Sequence, residues 1–166
     1  MFKKLLGLIA LLAFIIPMDA HATTCSASAV CKSVFYSFTN STGTTPQALY
    51  TASGNGAKIS AIFCSSTQPS SAPSIFMSTL HSGTTYPMWS VGFTATSGQN
   101  NGAVANLLTA TSFSGGGNTN PFNALPTDEF GNAYILLASG DSLQIAMSPA
   151  VTSPYTITCY AFVTQY

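Results

Sequence analysis

The chain has 166 residues, of which only 5% are charged; none is arginine, and the formal net charge is zero. It therefore lacks the basic footprint that nucleic-acid phosphates require and the polybasic patch that anionic lipid attracts. Polarity comes from Ser, Thr, Asn and Gln, and at 46% hydrophobic and 11% aromatic the composition is that of a folding chain, not a disordered one.

The N-terminus reads as a processing segment. Lys3 and Lys4 form a basic n-region, Leu5 to Pro17 an apolar h-region too short to span a bilayer comfortably, and Ala20-His21-Ala22 a small-x-small cleavage site. Residues 1–22 are assigned to a signal peptide, and the mature chain is expected to begin near Thr23 with no stable membrane span. Export follows as the expected localisation: periplasmic, cell surface or extracellular. The mature part sets Lys32 and Lys58 against Asp128, Glu129 and Asp141, a net charge of −1. It is about one domain of chain, long enough to bury its own core. Residues 23–46 read as an N-terminal arm with a cysteine loop and a first strand, and residues 47–166 as a β-sandwich domain.

All four cysteines, Cys25, Cys31, Cys64 and Cys159, lie in the mature chain. In an exported protein they are disulfide candidates, and four cysteines allow three pairings. The favoured set is Cys25–Cys31, close in sequence, with Cys64–Cys159, which ties an early strand to the last. In the loop-entropy account the long bridge contributes roughly 4–5 kcal/mol and the short one roughly 2–2.5 kcal/mol. A zinc site is disfavoured, because there is no C-x-x-C pair and His81 is the only histidine left after cleavage.

In chain order, Val30 to Phe38 alternates as a strand with Val34, Tyr36 and Phe38 on one face. Asn40-Ser41-Thr42 fits the glycosylation pattern, which matters only in a eukaryotic secretory route. A short strand follows at Gln47 to Ala52, then the turn Ser53-Gly54-Asn55-Gly56, which lacks the Lys-Ser/Thr of a P-loop. Ala57 to Ser65 is a strand with Ile59, Ala61 and Phe63 on one face and Ile62 and Cys64 on the other. If the Ile59 face is the core face, a Cys64–Cys159 bridge needs a bulge or another pairing. Ser74 to Leu80 is apolar on both faces and so central. Thr85 to Phe93 places Trp89, Val91 and Phe93 on one face, and Pro87 argues for an edge or a bulge.

Ala103 to Ala110 fits a helical turn or a short strand, and Ser112 to Asn120, with Gly115 to Gly117, a loop. Three strand-like runs then fill Gly131 to Tyr166. Leu143, Ile145 and Met147 alternate with Ser142, Gln144 and Ala146, and Ser139-Gly140-Asp141 has hairpin chemistry. No segment sustains a helical period. About eight short strands joined by Gly/Pro/Asn/Ser loops predict an all-β, antiparallel β-sandwich, jelly-roll-like, with the first and last strands side by side.

Chemistry is sparse. A Ser–His–Asp triad would need His81 with Asp128 or Asp141, and no G-x-S-x-G elbow exists. His81 precedes Ser-Gly and reads as an exposed turn residue. A glycosidase pair would come from Asp128, Glu129 and Asp141, all of which read as solvated turn residues. No D-x-D-x-D-G calcium loop is present. No catalytic residue, cofactor or metal is expected. Trp89 reads as core, which leaves Tyr86, Tyr50 and Tyr155 as candidates for a sugar-binding surface.

The stretch PFNALPTDEFGNAYILLASGDSLQIAMSPAVTSPYTITCYAFVTQY, Pro121 to Tyr166, has a distinctive cadence. It resembles a group of small, largely uncharacterised β-sandwich proteins of tailed phages and prophages. In those, an "LP, D, GN, YL, AGD" segment precedes "AVT" and a final alternating strand. The upstream LYTASGNGAKISAIFCSST is similar to their first strand-turn-strand motif, so the likeness covers Leu49 to Tyr166. It implies a β-sandwich with a virion-associated structural role and no catalytic residues. The signal peptide, the cysteines and residues 23–47 depart from that pattern and suggest an exported relative. The expected function is an exported, non-enzymatic structural or adhesive protein, with self-association into a homo-oligomer or filament as its contact. The alternative is a carbohydrate-binding module with a surface glycan as partner.

Overall fold

The computed structural model describes residues 28–69, 73–92, 105–108 and 125–166. Residues 1–22, expected to be a signal peptide, Cys25, Phe93 and the expected loop at Gly115 to Gly117 lie outside the described residues. Within them the chain forms β1 (Val30–Phe38), β2 (Gln47–Thr51), β3 (Ala57–Ser66), β4 (Ser74–His81), β5 (Thr84–Gly92), β6 (Ala105–Asn106), β7 (Ile135–Leu137), β8 (Ser142–Ser148) and β9 (Ile157–Gln165). No helix among them is long and apolar enough to cross a membrane.

The strands form two antiparallel sheets. Sheet I has the order β1-β9-β3-β6, with β7 pairing the other half of the β3 edge; sheet II has the order β2-β8-β4-β5. This is a jelly roll, in which interleaved Greek keys place the first and last strands side by side. β1 pairs with β9 over its whole length, from Val30↔Gln165 to Phe38↔Ile157. The first strand therefore completes the sheet of its own chain.

The core lies between the sheets. Sheet I contributes Ile157, Cys159, Ala161 and Val163 of β9, and sheet II contributes Leu143, Ile145 and Met147 of β8 with Ile75 and Met77 of β4, all buried. The period of two in β8 is therefore the in-and-out alternation of a half-buried strand. The buried hydroxyl of Ser142 is satisfied by Thr51 Oγ1 at 2.7 Å.

Three sequence expectations are refined by this packing. First, β3 does not keep one face. Its register against β9 shifts between Ile59 and Ala61, so Ser60 is an extra residue and the parity of the strand reverses. Ile59, Ile62, Cys64 and Ser66 are all buried, whereas Ala61 and Phe63 turn outward. The bulge allows Cys64 to meet Cys159 on the core side, and the two form a disulfide.

Second, Ser139-Gly140-Asp141 does not close a hairpin. β7 pairs with β3 in sheet I and β8 pairs with β2 and β4 in sheet II, so the turn carries the chain between sheets. Asp141 N–H closes the turn on Ala138 O, and two further backbone bonds reach Ala52: Gly140 N–H donates to Ala52 O and Ala52 N–H to Asp141 O. Third, the part of 103–110 that is described contains only the two-residue strand β6 against Phe63 and Cys64.

Pro87 occupies an edge strand, as a residue without an N–H should, and a register shift opposite Met77/Ser78 adds a bulge beside it. β4 is central, flanked by β5 and β8.

Candidate functional site

The most exposed chemistry lies on the outer face of sheet I. Register fixes four rows across β1, β9 and β3: Ser37–Thr158–Ser65, Phe35–Tyr160–Phe63, Ser33–Phe162–Ala61 and Cys31–Thr164–Lys58. The second row is aromatic on all three strands. Phe35 is 67% exposed, Tyr160 42% and Phe162 47%, high values for large apolar side chains in the middle of a sheet. The rings touch. Phe35 and Tyr160 have centroids 5.8 Å apart, and Phe63 and Phe162 meet edge to face at 5.9 Å. Ser37 and Thr158 hydroxyls bond at 2.9 Å and bound the stripe at one end.

Beneath the stripe, Cys64 pairs with Cys159 in register next to Phe63↔Tyr160. The covalent link therefore joins β3 to β9 immediately under the exposed rings.

At the other end the face opens into a cleft of about 570 Å³. Phe162, Thr164, Ser60 and Lys58 belong to its sheet side, and Asp128 and Asn132 to the loop facing them. That loop is closed by the Thr127↔Ala133 bridge. Asp128 holds its tip: Oδ1 accepts the N–H groups of Phe130 (3.0 Å) and Asn132 (2.8 Å), and Oδ2 accepts Asn132 Nδ2 (3.2 Å). The Asn132 N–H above all holds the Asp128 carboxyl below its usual range, with the Asn132 amide, the Phe130 N–H and the Lys58 charge acting the same way against partial desolvation. The Lys58 ammonium stands 4.5 Å from the Tyr134 ring centroid.

Lys32 also lines this cleft. Its Nζ donates to Gln165 Oε1 at 2.8 Å and sits 4.9 Å from the Tyr50 ring centroid, while Tyr50 OH donates to the same oxygen.

The tyrosines singled out from sequence do not form a surface. Tyr50 is only 7% exposed; it faces the core from β2, and this corrects its assignment as a surface residue. Tyr155 is half-buried and packs against the core. Tyr86 is exposed, but on β5, at the opposite edge of sheet II from β2. Trp89 is half-buried and packs against the core, close to expectation.

His81 and Asp141, read as separate turn residues, meet. Nδ1 lies 2.6 Å from Asp141 Oδ1, and Asp141 Oδ2 accepts the Ala138 N–H. The pair joins the β4–β5 turn to the turn before β8. This is the Asp–His half of a triad, but the next hydroxyl in sequence, Ser142, is buried and bonded to Thr51. Glu129 is exposed beside Asp128. Among the described residues no group of three His, Cys, Asp or Glu side chains could hold a metal ion. Cys31 has no free thiol.

The aromatic stripe had a signal in the sequence. Once Cys159 is placed inward, period two puts Tyr160 and Phe162 outward, and Phe35 lies opposite Tyr36 and Phe38 on its own strand. Compared with protein-family models, curated proteins and solved structures, the chain matches none.

Proposed function

We propose that this chain is an exported, non-enzymatic structural or adhesive protein that acts by contact through the outer face of sheet I. The observation carrying this reading is the aromatic row Phe35–Tyr160–Phe63, exposed at Phe35 and Tyr160 and half-buried at Phe63, with exposed Phe162 beside it. A contiguous apolar patch on a sheet's outer face is costly to leave in water and is characteristic of an interaction surface. The disulfide beneath it keeps the face rigid, which lowers the ordering cost of contact. A buried disulfide also fits an oxidising compartment. The near-neutral chain opposes association of its own copies only weakly. Its sequence cadence resembles that of phage structural modules, and jelly rolls recur in capsid proteins, a fold-level analogy.

The test is light scattering of the mature chain from Thr23, made in an oxidising compartment, beside cosedimentation with envelope fractions of the source organism. The reading expects a defined assembly, envelope binding, or both, lost in a Phe35→Ser/Tyr160→Ser variant that remains folded. A double variant that keeps the wild-type mass and envelope binding overturns the assignment to this face.

A further inference from the structure

Building on the outer face of sheet I as the contact surface, we infer that the cleft at its Phe162 end binds a neutral oligosaccharide. Phe162 lies between Ser33 and Ala61 in its row, both too small to cover the ring, and its contact with Phe63 is edge to face at an interplanar angle of 84°. A ring 47% exposed leaves part of its apolar surface open, against which the C–H edges of a pyranose can pack.

The rim supplies the remaining requirement. Ser60 and Thr164 bring hydroxyls, Asn132 an amide and Lys58 an ammonium, so donors and acceptors stand around one aromatic floor. A polyol uses both kinds. Two lysines line the cleft against the Asp128 carboxylate, but Lys32 is already held by Gln165 and Tyr50, which leaves Lys58 alone to face a ligand. Phosphate, sulfate and uronate ligands therefore find no cationic cluster. The volume of about 570 Å³ is that of a small-molecule site.

Both sides of the cleft are fixed before a ligand arrives. The disulfide clamps β3 to β9 under the floor, and the Thr127↔Ala133 bridge with the Asp128 bonds sets the facing loop.

The experiment titrates the disulfide-bonded mature chain with maltohexaose, cellohexaose and chitohexaose by calorimetry, with a heparin hexasaccharide as the anionic control. The inference expects at least one neutral hexaose to bind with sub-millimolar affinity. That affinity should fall by about tenfold or more in Phe162→Ala, the loss of one good stacking contact, and recover in Phe162→Tyr. The Phe35→Ser/Tyr160→Ser variant should keep short-oligosaccharide binding even where it loses assembly, which separates this inference from the reading of the whole face. Absence of binding to all three neutral sugars overturns it, as does binding unchanged in a folded Phe162→Ala, or tighter binding of the heparin fragment.

Discussion

Phe63 and Tyr160 oppose each other on the outer side of sheet I, and the residues adjoining them, Cys64 and Cys159, are joined on the inner side. One strand pair thus carries exposed rings on one face and a buried covalent bond on the other.

Removing that bond should cost much of the fold's stability. The bridge spans 95 residues of sequence, and a loop of that length contributes roughly 4–5 kcal/mol in the chain-entropy account. A Cys64→Ala/Cys159→Ala variant should unfold at markedly lower denaturant than the wild type. An unchanged midpoint would mean that the strands are held by packing alone.

The bulge at Ser60 makes that bridge geometrically available. Deleting Ser60 would place Ile59↔Val163 directly beside Ala61↔Phe162, a regular ladder with Ile62 and Cys64 still inward and Ala61 and Phe63 still outward. The expected result is a chain that still forms Cys64–Cys159 in oxidative refolding, read by thiol labelling and mass spectrometry. Failure to form that bridge in the deletion variant would show that Ser60 is not the extra residue that sets the parity.

These two elements mark what could be read in advance. The alternation of Leu143, Ile145 and Met147, the edge position of Pro87 and the adjacency of the first and last strands follow from period and turn chemistry, which are local. The sequence requires a bulge if Cys64 is to meet Cys159 beneath the Ile59 face, but the place of the extra residue at Ser60 leaves no trace, since AKISAIFCS looks apolar on both faces. The partition of β7 and β8 between sheets depends on the ladders that β3, β2 and β4 offer, not on the turn joining them. His81 and Asp141 are 60 residues apart, and only the fold brings them together. Tyr50 is aromatic and polar-tipped, so its burial depends on Gln165 and Lys32 arriving from β9 and β1.

Among the described glycines, Gly56 has the closest backbone neighbour. Its φ is +106°, and a Cβ there would lie 2.5 Å from the Leu137 carbonyl oxygen. Gly56→Ala combines left-sided strain with a clash against backbone, for a loss on the order of 2–4 kcal/mol. The position also receives the Tyr166 N–H on its carbonyl, so the end of β9 should loosen with it. Denaturant unfolding and amide exchange at Tyr166 read both effects; a variant as stable as the wild type would show that the turn can shift.

Acid should act first on the loop facing Phe162. The folded-state pKa of Asp128 is lowered, chiefly by the Asn132 N–H, so its contribution is present above the unfolded value and is lost as pH falls through the folded one. With an unfolded carboxylate near 3.9, the loop should be constant from neutral pH to about 5 and loosen only below about pH 4. Protonation removes acceptor strength from the bonds to Phe130 and Asn132, so their amide protons should exchange faster and shift together in that window. In Asp128→Ala the same amides should exchange quickly at every pH, with the unfolding midpoint of the whole domain little changed, because the carboxylate is solvent-accessible and acts locally. If the two amides stay protected down to pH 2, the carboxylate is not what holds the loop. If they loosen near neutral pH instead, a group other than Asp128 controls it.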